Sequence, residues 1–179
     1  MELVALLEAL RANFLQEFDA AYHQQIEVNE HVFPEIAFEI SGTVYKRLFV
    51  VDLVARNGEG DTAIEVGSTE AVLSGETYFQ YNGLNIDFGN VSWDAMRFSL
   101  APYPVEITGF EPWFDKWIDL NGERSVEGEL LSSVIHSATI GDDIVDVDFG
   151  SSPVDAVLEL FDLFKTNNVM TIQVSSSRE

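Results

Sequence analysis

Four aspartates lie within seven positions of the segment IGDDIVDVDFGSSP, residues 140–153: Asp142, Asp143, Asp146 and Asp148. Carboxylates are the ligands that Ca²⁺ and Mg²⁺ prefer, so a metal site is the first chemistry to consider for such a run. The alternative is the polar face of an ordinary β-strand. These two alternatives differ in what the intervening residues must be.

The residues between the aspartates favour the strand. Val145, Val147 and Phe149 alternate with Asp146 and Asp148, and successive side chains of a strand point to opposite faces. Antiparallel sheets commonly bury one face and leave the other in water. We therefore expect these carboxylates to face solvent.

Motifs for metal binding are incomplete elsewhere as well. An EF-hand loop requires glycine at its sixth position and glutamate at its twelfth. The nearest match, DLNGERSVEGEL from Asp119, has Arg124 and Leu130 at those positions. We predict no metal site and no cofactor.

Catalytic motifs are absent too. The chain has no cysteine and three histidines, and neither HExxH nor G-x-S-x-G occurs. His136 lies in an alternating strand pattern, for which a surface or hydrogen-bonded structural role is expected. An enzyme is not excluded, because a triad can assemble in space from distant residues. The balance of motifs favours a protein that is not an enzyme, and no motif identifies a known family.

The hydrophobic pattern predicts one α+β domain over residues 1–179. Apolar residues at three- and four-residue steps indicate an N-terminal helix over 2–22, a short aromatic helix at FEPWFDKWI (110–118) and a C-terminal helix from about 153 to 167. Alternating segments between them predict a largely antiparallel sheet built from β-hairpins, with turns at Ser41-Gly42 and Asn82-Gly83 and with the helices packed over it. The residues do not fix the oligomeric state.

Two segments of the chain resemble each other at an offset of 61 residues. IDFGNVSWDAM (86–96) aligns with VDFGSSPVDAV (147–157), sharing Asp-Phe-Gly and Asp-Ala. A duplicated unit of hairpin, helix and strand, over about 70–107 and 130–174, is one interpretation. Coincidence among turn-forming residues is the other. If the duplication is real, SWDAMRFSL should be a helix.

The strongest global feature is negative charge. Thirty-one acids and nine bases give a net charge of −22, and residues 106–163 alone carry −12. Such a surface repels nucleic acid and anionic membranes and attracts basic proteins. The N-terminus lacks the basic start and apolar run of a signal peptide, and no apolar stretch approaches the length of a membrane span. We expect a cytoplasmic protein.

The leading hypothesis is a non-catalytic binding protein that engages a basic protein, as an inhibitor or an immunity protein does. The candidate contact residues are Trp93 and Tyr103, expected to be exposed, and the four aspartates Asp142, Asp143, Asp146 and Asp148. Solubility alone is the plainer explanation of the charge. Two further alternatives are a small enzyme or ligand-binding domain with a pocket between sheet and helices, using His136 and an acid, and a structural subunit that oligomerises.

Overall fold

The computed structural model describes residues 2–39, 48–73 and 77–178. It confirms an α+β fold, with the strands divided between two sheets rather than gathered in one. The elements are α1 (Leu3–Val28), β1 (His31–Glu39), β2 (Leu48–Asn57), β3 (Gly60–Ile64), β4 (Tyr78–Tyr81), β5 (Leu84–Phe88), β6 (Met96–Ala101), α2 (Phe110–Ile118), β7 (Ser137–Ile140), β8 (Ile144–Asp148), α3 (Asp155–Thr166) and β9 (Thr171–Ser176).

The first sheet is an antiparallel meander of β1, β2 and β3. Its central strand β2 is the apolar segment LFVVDLVA, and Leu53 is fully buried. Buried residues on both faces are typical of a strand that is covered from both sides. The predicted turn at Ser41-Gly42 lies outside the described residues.

The second sheet has six strands in the order β4-β5-β9-β6-β8-β7. All neighbouring pairs are antiparallel except β5 and β9. The β4–β5 hairpin turns at Asn82 and Gly83, which have φ angles of 47° and 80°. Asparagine followed by glycine is the pair that this turn favours, so the prediction from the sequence is confirmed.

The helices are held by their apolar stripes. Phe14 and Phe18 of α1 are fully buried, and α2 inserts Trp113, Phe114 and Trp117 into the same core. Burial of such large side chains stabilises each helix far more than its intrinsic propensity does. None of the helices among the described residues is long and apolar enough to cross a membrane.

The two segments that resemble each other form hairpins at opposite edges of the six-stranded sheet. Their continuations differ: after Gly89 the chain enters strand β6, whereas after Gly150 it enters helix α3. The helix over SWDAMRFSL that was expected if the duplication is real is therefore not formed, because Met96 and Phe98 pair with β8 and β9 as part of a strand. The duplication itself remains a hypothesis.

Candidate functional site

A buried ionic cluster joins the two sheets. We call it the His136 cluster, and it consists of Glu35, Asp52, His136, Asp148 and Ser151. Glu35 comes from β1, Asp52 from β2 and Asp148 from β8, while His136 immediately precedes β7. The side chains of His136 and Glu35 are each 1% exposed, and that of Asp52 is 5% exposed.

The imidazole of His136 lies between carboxylates. Its Nε2 is 2.9 Å from Glu35 Oε1, and its Nδ1 is 2.8 Å from Asp52 Oδ1 and 3.9 Å from Asp148 Oδ1. The Nδ1 and Asp52 Oδ1 are close enough for an ion pair, but neither atom makes a hydrogen bond. The contact between these two atoms is therefore Coulombic and poorly aligned.

The β1–β2 register explains why a cation is needed at this point. Pro34 pairs with Leu53 and Ile36 with Val51, so Glu35 lies opposite Asp52. Like charges in that position destabilise a pair of strands. A positively charged His136 between them converts the repulsion into two attractions.

The carboxylates of the cluster also accept hydrogen bonds from backbone amides and a hydroxyl group. Glu35 accepts hydrogen bonds from the Ser132 amide, at 2.5 Å, and from the Ser151 hydroxyl. Asp52 Oδ2 accepts one from the Val66 amide at 2.7 Å, and Asp148 Oδ1 one from the Gly150 amide at 2.9 Å. Such bonds favour the ionised carboxylates in a buried setting.

The surroundings hold His136 in its charged form. Burial lowers its pKa, but the charge of Asp148 and the interactions with Asp52 and Glu35 outweigh burial and raise the pKa to about 10. Burial raises the pKa of Asp148 to about 7, against the opposing effect of the His136 charge. At neutral pH the cluster therefore contains an imidazolium beside a carboxyl that is close to its titration point.

This arrangement does not form a catalytic triad. Ser151 donates its hydroxyl proton to Glu35 rather than to His136, and Ser151 is only 1% exposed. An imidazolium with a carboxylate facing each nitrogen has no lone pair with which to activate a nucleophile. Over the described ranges, no group of three or more histidine and acidic side chains has a geometry that could hold a metal ion.

A cavity of about 390 Å³ lies beside the cluster, between the meander and the edge of the six-stranded sheet. Two members of the cluster, Asp52 and Asp148, form part of its wall. His136 does not line it. The lining residues are Phe49, Val50, Val51, Asp52, Ala63, Ile64, Glu65, Ser137 and Asp148.

One residue predicted to lie on a contact surface, Trp93, is buried, and a second, Asp148, is half-buried. Trp93 is 0% exposed because its indole Nε1 donates to the Gly150 carbonyl at 2.8 Å and its ring packs on Phe149. Asp148 was expected to face water, but its side chain is only 27% exposed and lies in the His136 cluster. The expectation for Trp93 is wrong, and the expectation for Asp148 holds only in part, because its side chain is half-buried beside His136.

Of the other predicted contact residues, Asp142 and Asp143 are exposed, and Asp146 and Tyr103 are half-buried. Asp146 forms a two-point ion pair with Arg97, with both distances 2.8 Å. Asp142 and Asp143 are exposed in the β7–β8 turn. The half-buried Tyr103 reaches this turn and donates its hydroxyl to the Gly141 carbonyl at 2.9 Å. The structure thus brings together Tyr103, Asp142 and Asp143, which are three of the six predicted contact residues.

The sequence analysis missed Glu35, Asp52 and Ser151. One signal was present: Asp52 interrupts the most apolar strand, LFVVDLVA, and a charged residue there must find a partner when it is buried. No pattern connected it with Glu35 and His136, because His136 is 101 residues from Glu35 in sequence.

Comparison of the chain with protein-family models, with curated proteins and with solved structures finds no match.

Proposed function

We propose that this protein is a non-catalytic, acidic binding protein that engages a basic protein partner, in the manner of an inhibitor or an immunity protein. The observation that carries the proposal is an asymmetry in the use of charge. The basic side chains of the described residues contact other groups of the protein, whereas many acidic side chains are exposed to solvent.

All seven lysines and arginines in the described ranges contact groups of the protein itself. Three form ion pairs with exposed or half-buried acids: Arg56 with Asp61, Arg97 with Asp146 and Lys116 with Glu159. The other four bind backbone carbonyls or a buried acid: Arg11 at Ser151 and Ser152, Arg124 at Lys116, Lys165 at Gly83, and Arg178 at Ser68 and Asp94.

The acids are arranged differently. Ten of the fourteen acids in residues 106–163 are exposed. A surface with this excess creates a field that attracts a cationic protein and accelerates its encounter. The two bases in this range, Lys116 and Arg124, offset only two of the fourteen acidic charges, which leaves a net charge of −12.

The candidate contact surface is the loop 102–106 together with the β7–β8 turn. The bond from Tyr103 to Gly141 holds the loop beside Asp142 and Asp143. Burial, and then the charges of Asp143 and Asp142, raise the pKa of Tyr103. Val105 is fully exposed. An apolar centre with a charged rim is the usual anatomy of a protein interface.

The test begins with capture of a partner. The tagged protein is incubated with lysate of its native host at about 50 and 300 mM salt, a range over which surface charges become screened. One basic protein retained at low salt and reduced at high salt is the expected result. Retention of no basic protein at either concentration overturns the proposal.

Association kinetics with the captured protein then locate the surface. The double variant Asp142→Asn/Asp143→Asn should slow association about fivefold or more and reduce its dependence on salt. A matched control, Glu8→Gln/Glu27→Gln, removes the same charge from exposed positions on α1. Equal effects of the two double variants would contradict a role for the β7–β8 turn.

The alternatives differ in their support. A cytoplasmic location belongs with this proposal and is supported by the absence of cysteine from the given sequence. The cavity beside Asp52 and Asp148 favours ligand binding, but both nitrogens of His136 already face carboxylates, which disfavours acid–base catalysis. The oligomerising subunit remains a hypothesis, which a measurement of mass in solution tests.

A further inference from the structure

The cavity beside the His136 cluster has the walls of a pocket for one organic cation. Phe49, Val51 and Ile64 supply apolar surface, and Asp52, Glu65 and Asp148 supply carboxylates. An arginine side chain has this same division, with an apolar stem and a planar charged end. Its guanidinium binds carboxylates through two parallel hydrogen bonds and stacks on aromatic rings.

The inner wall of the cavity carries more negative than positive charge, which favours the binding of another cation. Within the cluster three carboxylates, those of Glu35, Asp52 and Asp148, face a single imidazolium. The charge of Asp52 contributes to the raised pKa of Asp148, after burial. A positive group in the cavity would relieve this repulsion and restore the ionised form of Asp148.

A further observation concerns Asp52 itself. Its side chain is 5% exposed, it forms part of the cavity wall, and its Oδ1 makes no hydrogen bond. This oxygen already faces the poorly aligned imidazolium of His136 at 2.8 Å, and a guanidinium in the cavity would add an aligned donor. The described residues around it do not have a metal-binding geometry, so an organic donor fits better than an ion.

We propose that the cavity between β2, β3 and β8 receives one arginine side chain from the basic protein partner, with its guanidinium directed to Asp52 and Asp148 and its stem against Phe49 and Ile64. This inference rests on the proposed function and adds the anchor of the interface to it. A buried arginine is among the commonest residues to dominate a protein interface.

The first experiment titrates the ¹⁵N-labelled protein with Nα-acetyl-arginine amide and follows the amide shifts by NMR. Shifts centred on Ala63, Ile64, Glu65 and Ser137 are expected at concentrations up to about 20 mM, since a fragment of this size binds with a Kd near the millimolar range. Nα-acetyl-citrulline amide has almost the same shape without the charge, and it should bind at least tenfold more weakly. Absent shifts, or equal binding of citrulline, would overturn the inference.

A pair of variants tests the same cavity by shape. Ala63→Trp places a bulky ring at an exposed lining position of β3, and Thr62→Trp places it on the adjacent exposed residue, which does not line the cavity. We expect Ala63→Trp to abolish the arginine shifts and Thr62→Trp to preserve them. A native pattern of the remaining amide signals shows that each variant folds.

A second pair tests the charge. Glu65→Gln removes a lining carboxylate without entering the His136 cluster, and it should weaken arginine binding about threefold or more. Glu59→Gln removes an equal charge from the exposed β2–β3 turn and should leave binding unchanged. Equal loss in both variants would mean that only the overall field attracts the cation, and that outcome overturns the inference.

The captured partner separates this inference from the proposed function. Ala63→Trp should lower the affinity of that protein tenfold or more, whereas Thr62→Trp should not. If a basic protein is captured and Ala63→Trp binds it normally, the arginine pocket is wrong and the proposed function stands. If free arginine enters the cavity but no basic protein is captured, the proposed function fails, and with it the assignment of this pocket to a protein partner.

Discussion

The hairpins β4–β5 and β7–β8 lie at opposite edges of one sheet, and both end in Asp-Phe-Gly. Their phenylalanines behave alike, since Phe88 and Phe149 are 1% and 0% exposed. Their aspartates do not. Asp87 is exposed and accepts a 3.2 Å hydrogen bond from the Thr77 hydroxyl, whereas Asp148 lies beside the imidazolium of His136.

The glycines differ in the same direction. A Cβ added to Gly89 would meet its nearest neighbour, the Val174 carbonyl, at 3.6 Å, which is an ordinary contact. At Gly150, where φ is 47°, the added atom would lie 2.1 Å from Cδ2 of His136. One tripeptide is thus a plain strand end in one hairpin and part of a buried ionic cluster in the other. The neighbours of the motif, and not the motif, determine its chemistry.

The largest expected effect comes from removing the cation that distinguishes the second hairpin. His136→Gln should lower the free energy of unfolding at pH 6 by about 3–4 kcal/mol, because it leaves buried carboxylates without their counter-charge. His23→Gln, on the exposed surface of α1, should change it by less than about 0.5 kcal/mol. Urea unfolding measures both values.

The loss of stability in His136→Gln should depend on pH in a definite direction. The pKa of His136 is raised in the folded state to about 10, so its stabilisation is fully present below pH 6.5 and is lost as the pH rises toward 10. The difference between wild type and His136→Gln should therefore narrow from pH 6.5 to 10. A constant difference would contradict a charged His136.

The glycine comparison predicts the next largest effect. Gly150→Ala should destabilise the protein by about 2–3 kcal/mol, because the new methyl group meets the His136 ring at a positive φ. Gly89→Ala should cost less than about 1 kcal/mol. Thermal and urea unfolding of the two variants test this pair, and similar losses would remove the steric distinction between the hairpins.

The smallest expected change in stability comes from replacing the two aspartates of the Asp-Phe-Gly segments, Asp148 and Asp87. The pKa of Asp148 is raised in the folded state to about 7, so the stabilisation due to its protonation is full below about pH 4 and is lost as the pH rises through 7. Asp148→Asn has no carboxyl group to ionise, so it does not lose this stabilisation. We expect its free energy of unfolding, relative to that of the wild type, to increase by on the order of 1–2 kcal/mol between pH 5 and 8. Asp87→Asn should show no such trend. Parallel pH curves for the two variants would be evidence against a raised pKa at Asp148.

Local patterns in the sequence predicted the elements well. The apolar steps of α1 and α2, and the Asn82-Gly83 turn, depend on neighbours a few residues apart, and the structure has all three. Helix α1 continues to Val28, beyond the predicted end near 22, as a largely exposed extension that no glycine or proline interrupts.

The candidate site was less accessible to sequence reasoning. Alternation placed Asp148 on a polar face, but this residue lies close to the separate three-stranded sheet, whose position no local pattern reveals. Glu35 enters the cluster through a φ of 49°, an unusual conformation for a residue with a side chain. Trp93 was expected on the surface, but it is buried together with its polar neighbours Ser92 and Asp94.

The hydrogen bond from Trp93 to the Gly150 carbonyl gives the protein an internal optical probe. The chain has three tryptophans, and the other two, Trp113 and Trp117, belong to α2. Replacing those two with phenylalanine leaves a single fluorophore whose indole touches the backbone next to Asp148 and His136. Indole emission responds to nearby charge. The emission wavelength of Trp93 should therefore shift when Asp148 is protonated and when a cation enters the cavity beside it.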